Sequence, residues 1–349
     1  MKNINFSCTS PTSDECLKLT VRKKGSAKQS MLPLLVFALP FFIFATTGFA
    51  QSVGQLHQIE LWAEKIPAGA EGGSERFAYQ MNSHVISDMD GSNETDATAR
   101  YVTAPTIPGP TIVINEGDEV EITLRHVFDP GDSATLDQVS VHVHGVHYDI
   151  LSDGTIEYIN LVQDESATPT MSYTYRWTAA PGTAGTWAYH DHNMITLNGA
   201  EDRGLYGALI VNGAAETVAL DQGGQLVTVP LSSINKEYVM FMVDDAFFGM
   251  EIDNQTGQQT PLLDNPALAA QQGSNVRFHL VALGTVTHNF ALPGYSWIDP
   301  GTNLIISEKI IGPLEQYVFA VQANRNTQYM DTAFSSSLLG MKGDFNVIP

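Results

Sequence analysis

Short segments that alternate apolar with polar residues, or run through β-branched ones, recur along the chain after residue 50. They include Thr111-Ile-Val-Ile-Asn115, Glu119-Val-Glu-Ile-Thr-Leu124, Val139-Ser-Val-His-Val-His144, Ser172-Tyr-Thr-Tyr-Arg-Trp177 and Ala208-Leu-Ile-Val211. Further along come Gln225-Leu-Val-Thr-Val229, Tyr238-Val-Met-Phe-Met-Val243, Val276-Arg-Phe-His-Leu-Val281 and Gln316-Tyr-Val-Phe-Ala-Val321. Gly, Pro, Asp and Asn bound them, and no stretch beyond residue 50 keeps a long helical period. The pattern predicts an all-β chain of β-sandwiches. Residues 66–105 are polar and rich in Gly, Ser and Asp, and read as a long surface insertion.

A weak internal repeat predicts two such domains. Pro110 to Leu124 reads as strand, Gly turn, strand, and Pro266 to Leu280 repeats that order. In each half a histidine-bearing strand follows, and each half ends in an aliphatic strand after a glycine (Gly207 to Val211, Gly343 to Val347). The expected organisation is a first domain over 51–213, a linker over 214–228 and a second domain over 229–349.

The first 50 residues differ. Six basic residues accompany a nearly unbroken apolar run from Met31 to Phe44, followed by Gly48-Phe49-Ala50. This order reads as a secretory signal, with an uncleaved N-terminal anchor as the alternative, and implies export to a periplasmic or extracellular space. The run is shorter than the ~20 residues of a spanning helix and holds Pro33 and Pro40. Cys8 and Cys16 both precede it, so a chain cleaved near Ala50 has no disulfide, thiolate ligand or cysteine nucleophile. Charge narrows the partners. With 17 basic against 38 acidic residues, the net charge of −21 gives no electrostatic route to nucleic acid or anionic lipid, but attracts cations.

Five of the ten histidines fall in two groups, His142-Val-His144-Gly-Val-His147 and His190-Asp-His192. Residues two apart on a strand share a face, so His142 pairs with His144, and His190 with His192. Four converging imidazoles without a thiolate suit copper or zinc. The plainer alternative is a set of partly buried, hydrogen-bonded histidines. His147 has the opposite parity and is expected at the strand end or facing away. Tyr148 shares the ligand parity, and Asp191 is a candidate hydrogen-bond partner behind the ligands. His57, His84, His126 and His279 have no such context. Nucleotide-binding, nucleophile-elbow and paired-carboxylate patterns are absent.

Four blocks in order, Pro108 to Val120, His142-Val-His-Gly145, Gly185 to His192 and Gly204 to Val211, resemble the first domain of the multicopper oxidases, the two-domain laccases above all. The resemblance covers about 105 residues. It implies two Greek-key cupredoxin-like β-sandwiches, copper as cofactor, and His142, His144, His190 and His192 as the first domain's share of a trinuclear copper cluster. The second domain departs from the family pattern. Where the family carries His-X-X-His-X-His, only His288 stands. Where it carries His-Cys-His followed by His and Met, the chain reads Tyr329-Met-Asp-Thr-Ala-Phe-Ser-Ser-Ser-Leu-Leu-Gly-Met341. Met341 matches the axial methionine of the mononuclear copper and His288 one of its histidines. With the cysteine missing, Met341 is expected to pack in the core and His288 to make ordinary hydrogen bonds.

The expected function is therefore a copper-binding protein of this family that is not a complete stand-alone laccase. The alternatives are a subunit of a heteromeric oxidase whose partner supplies the missing ligands, and a cupredoxin scaffold kept for its contacts. Family likeness allows a homotrimer, or a mixed trimer with a complete multicopper oxidase. A copper nitrite reductase is a weaker reading, because its electron-transfer copper also needs a cysteine.

Overall fold

A computed structural model describes residues 54–66, 76–127, 138–155, 159–160, 172–192 and 203–349. The apolar N-terminal run, Cys8 and Cys16 lie outside the described residues. Among those described, no helix is long and apolar enough to cross a membrane.

The first sandwich faces a five-stranded sheet against a four-stranded one. The five-stranded sheet runs, edge to edge, Thr95–Asp96, Arg76–Asp88, Gln55–Ile66, Glu119–His126 and Ser172–Thr178. The four-stranded sheet runs Thr111–Asn115, Tyr206–Asn212, Gly185–His190 and His142–Val143. Alternation explains the packing between them. Ile59, Leu61 and Ala63 point inward from one strand and Val120, Ile122 and Leu124 from its neighbour, meeting Tyr189, Leu209 and Val211 from the other sheet. The second sandwich packs the sheet Gln259–Leu262, Phe247–Asp253, Lys236–Met242, Asn275–Ala282 and Gln316–Gln322 on a second sheet. That one runs Leu268–Gln271, Lys342–Ile348, Thr327–Asp331, His288–Ala291 and Glu308–Ile311. Its core is aromatic, with Phe278 stacked on Phe319 at 5.1 Å and Trp297 on Phe319 at 4.2 Å.

The strand His142–Val143 corrects one expectation. The segment 139–144 is not one continuous strand: Gln138–Val139 pairs elsewhere, and the chain re-enters the sheet only at His142. The supposed surface insertion needs a larger correction. Within it, Arg76–Asp88 is an interior strand whose Phe77, Ala78 and Tyr79 are fully buried. The stretch 214–228, expected as a linker, carries most of a hairpin, Thr217–Asp221 paired with Leu226–Pro230, that buries Leu220.

The four-stranded sheet is buried on both faces, which is why Tyr206–Asn212 reads as a continuous apolar run. One face enters the first core. The other, through Ala188, Tyr206, Ala208 and Ile210, meets Val239, Phe241, Met250, Ile252 and Val281 of the second sandwich. Polar pairs fix the register of the two domains. The Gln259 amide bonds both N–H and C=O of Thr111, at 2.9 and 2.5 Å. Thr186 Oγ1 meets His279 Nδ1 at 2.5 Å, and His279 Nε2 donates to Glu237 at 2.5 Å. Arg277 donates to Glu237 through Nε and to Glu216 through Nη1.

Candidate metal centre

Two neighbouring strands bring the histidines together. His190 ends Gly185–His190 and lies directly opposite His142 in the antiparallel register, so both rings leave the same face of the sheet. That face is the one on which Thr186 and Ala188 meet the second domain. The N–H of His144 donates to the carbonyl of Ala188 at 3.0 Å, which folds His144 back beside the same strand. Gly145 allows the fold-back. Its φ is +73°, and a Cβ there would stand 1.9 Å from the Trp187 ring. Beyond His190 a clamp holds the chain. Asp191, fully buried, accepts the Ser140 N–H at 2.8 Å, and Ser140 Oγ accepts the His192 N–H at 3.0 Å.

Ring nitrogens of His142, His144 and His190 lie within 4.8 Å of one another. The Nε2 atoms of His144 and His190 face each other at 3.2 Å. His192 stands outside this three-nitrogen group but beside it, its ring 5.1 Å from that of His142 and 5.7 Å from that of His190. His147 is exposed and takes no part: its backbone bridges Thr178 instead. Tyr148 is near, its ring 6.0 Å from that of His142.

The donor set fits a copper ion, and the hydrogen bonds behind it say why. His142 Nδ1–H donates to the Asp153 carbonyl at 2.6 Å, and His190 Nδ1–H to the Asp191 carbonyl at 2.9 Å. Each bond fixes the tautomer that leaves an Nε2 lone pair for a metal. The Nδ1 of His192 is buried without a hydrogen-bond partner, a cost that ligation would remove. Burial pushes the His142 imidazole below its ordinary value, which keeps it neutral and able to ligate.

Asp153 is a residue that sequence reasoning missed. Its carboxylate lies 3.4 Å from His142 Nδ1 and accepts from Thr155 Oγ1 and from the Tyr148 hydroxyl. Burial opposes its charge, yet these hydrogen bonds and the neighbouring His142 and His192 rings hold it below the usual carboxylate range. Its position nine residues past His144 carried no signal, because its main contact runs through a backbone carbonyl.

In the second domain, His288 Nδ1 donates to Asp331 Oδ2 at 2.7 Å with both side chains fully buried. Asp331 also accepts the N–H groups of Asn289 and Ala333. Met341 packs in the second core.

Residues 89–216 match the multicopper oxidase family. A probable nitrite reductase–hydroxylamine oxidoreductase fusion protein of Kuenenia stuttgartiensis is 30% identical over 244 residues, 66% of this chain and 26% of that protein. Multicopper oxidase VdtB of Byssochlamys spectabilis is 29% identical over 136 residues, 38% of this chain and 17% of that protein. The matches thus span about a quarter or less of these curated relatives. Among solved structures, a copper nitrite reductase from Nitrosomonas europaea shares the fold, with a TM-score of 0.53 at 16% identity over 84% of this chain and 94% of that one. Residues 89–216 thus resemble a multicopper oxidase domain, and the chain shares its β-sandwich fold with a copper nitrite reductase.

Proposed function

We propose that this is an exported copper-binding protein whose first-domain histidines His142, His144, His190 and His192 hold one or two copper ions, and that it is not a complete stand-alone laccase. The observation that carries the reading is the convergence of imidazole nitrogens on one face, with His142 and His190 each backed by a hydrogen bond and the buried His192 Nδ1 lacking one that a metal would replace. Copper held there would supply one-electron redox chemistry. The chain's own residues would orient it: Asp153 and Asp191 through their carbonyls, Ser140 through the His192 backbone. Asp153 and Tyr148, hydrogen-bonded to each other beside His142, would hold and pass protons at the edge of the site.

The sequence supports the limit on activity. After Cys16 the chain has no cysteine, so a thiolate-ligated entry copper has no ligand. At the matching histidine of the second domain, His288 is tied through Nδ1 to Asp331, and its buried Nε2 has no hydrogen-bond partner. This also weighs against carrying over the nitrite reductase activity in the name of the Kuenenia relative. A second reading is favoured by the four-imidazole donor set itself, half of what a trinuclear cluster uses. A partner subunit, in a mixed trimer with a complete oxidase, would supply the rest.

Metal analysis of the copper-reconstituted chain, with visible and electron paramagnetic resonance spectra, tests the proposal. The expected result is about one or two coppers per chain and no intense blue thiolate band. A His142→Ala/His192→Ala variant is expected to lose that copper. A folded chain without copper, or one whose copper survives the double substitution, would overturn the assignment.

A further inference from the structure

Away from the metal centre, four side chains form an unbroken hydrogen-bonded line through the first sandwich. Tyr101 Oη lies 2.8 Å from His84 Nδ1, His84 Nε2 lies 2.9 Å from His57 Nδ1, and His57 Nε2 lies 3.2 Å from Asp118 Oδ2. Exposures are 6, 1, 2 and 2% in that order. The strands Gln55–Ile66 and Arg76–Asp88 supply the two histidines, and the turn before Glu119–His126 supplies the carboxylate.

Proton bookkeeping gives the line one direction. Asp118 also accepts the N–H groups of Gln55, at 2.8 Å, and Asn115, at 2.7 Å, so it is the terminal acceptor. His57 Nε2 therefore donates to it, which leaves His57 Nδ1 to accept from His84 Nε2. His84 Nδ1 must then accept the phenolic proton of Tyr101. Tyr317 donates directly to the Asp299 carboxylate, with no imidazole between, and four other buried tyrosines end differently again. Tyr79, Tyr189, Tyr238 and Tyr329 donate to backbone carbonyls, which bind the proton but cannot take it.

We propose that Tyr101 is a one-electron redox residue, and that His84, His57 and Asp118 are the path that takes up its proton. An electron leaves the phenol for an outer-sphere one-electron oxidant: an oxygen-derived one in the cell, a photogenerated ruthenium(III) polypyridyl complex in the test tube. The O–H bond of Tyr101 breaks and its proton goes to His84 Nδ1. The proton on His84 Nε2 passes to His57 Nδ1, which leaves His57 doubly protonated against the Asp118 carboxylate. The products are a neutral tyrosyl radical, a neutral His84 of exchanged tautomer, a His57 imidazolium paired with the Asp118 carboxylate, and the reduced oxidant. Burial, helped by His57 and the Arg100 charge, pushes His84 down to about 3, which keeps it neutral and its Nδ1 open to the phenolic proton.

The place in the fold gives the residue a use. Tyr101 shares the first core with Tyr79 and Tyr189, whose rings are 5.6 Å apart, and Tyr189 directly precedes His190. An oxidising equivalent arising near the histidines would have two tyrosines of the same core between it and a residue that can store it. The redox assignment itself stands whether or not those histidines hold copper, so its test uses the metal-free full chain.

Flash oxidation by the ruthenium complex, followed by transient absorption and freeze-quench electron paramagnetic resonance, reads the radical directly. The expected result is a tyrosyl signal that is lost in Tyr101→Phe, a variant that keeps the ring and so the packing. Radical formation in the wild type is expected to slow in deuterated water, and Asp118→Asn is expected to slow it further. A signal of equal size in folded Tyr101→Phe, or no tyrosyl signal in the wild type, would overturn the assignment of Tyr101. A rate in folded Asp118→Asn equal to wild type would overturn the proton path.

Discussion

Single residues decide how close the imidazoles can come, and Gly145 shows it most plainly. The turn that returns His144 to the sheet needs a positive φ, and the Trp187 ring occupies the space a side chain would take. Gly145→Ala must move the tryptophan or unwind the turn. Overpacking of this kind costs about 1–3 kcal/mol, in addition to the left-handed backbone penalty. The expected outcome is a lower melting temperature together with weaker copper uptake, measured by calorimetric titration of the metal-free chain. Uptake unchanged from wild type would mean that His144 does not depend on this turn.

Among elements, the strands at the centre match their sequence signatures, because burial on alternate residues leaves a period of two. Thr111–Asn115 appears with the boundaries its pattern predicts, and Glu119–His126 extends its pattern by two residues. Arg76–Asp88 escaped because its middle, Gln80 to His84, is polar apart from Met81, and its buried histidine bonds to Tyr101 and His57, which only the fold brings near. The four histidines were legible by their spacing, though their convergence depends on a broken strand rather than a continuous one. Ser140, at that break, is tied to Asp191, and this tie sets one histidine pair against the other. Asp191→Ala strands a buried N–H at a cost of about 1–3 kcal/mol. Loss of a group that orients ligands is expected to weaken metal affinity by roughly 10- to 100-fold. Competition against a chelator of known copper affinity measures that change. An affinity equal to wild type would reduce the clamp to a purely structural role.

At the scale of the whole molecule, the acidic composition and the buried polar groups respond to acid in opposite senses. Lowering the pH neutralises the excess carboxylates and relieves their repulsion, which alone would stabilise the folded state. The buried groups act the other way. His84 has an ordinary value of 6.5 in the unfolded chain and about 3 when folded, so between those values the unfolded chain binds the extra proton and stability falls with pH. Glu237, drawn from 4.5 to about 2 against the cost of burial by His279, Arg277 and Asn254, adds the same sign at lower pH. Asp331, drawn from 3.8 to about 2 against burial by His288 and two backbone N–H groups, does likewise. These carboxylates stabilise fully above their unfolded values, and that contribution disappears as the pH falls through the folded ones. Because His84, and with it His279 and His142, whose values burial also lowers, titrate before the carboxylates, melting temperatures of the metal-free chain are expected to decline from about pH 6.5 downward. His84→Gln, which keeps a hydrogen-bonding side chain but no titrating ring, is expected to flatten the upper part of that decline while lowering stability at neutral pH. A melting temperature that holds constant or rises between neutral pH and the carboxylate range would show that relief of surface repulsion outweighs the buried imidazoles.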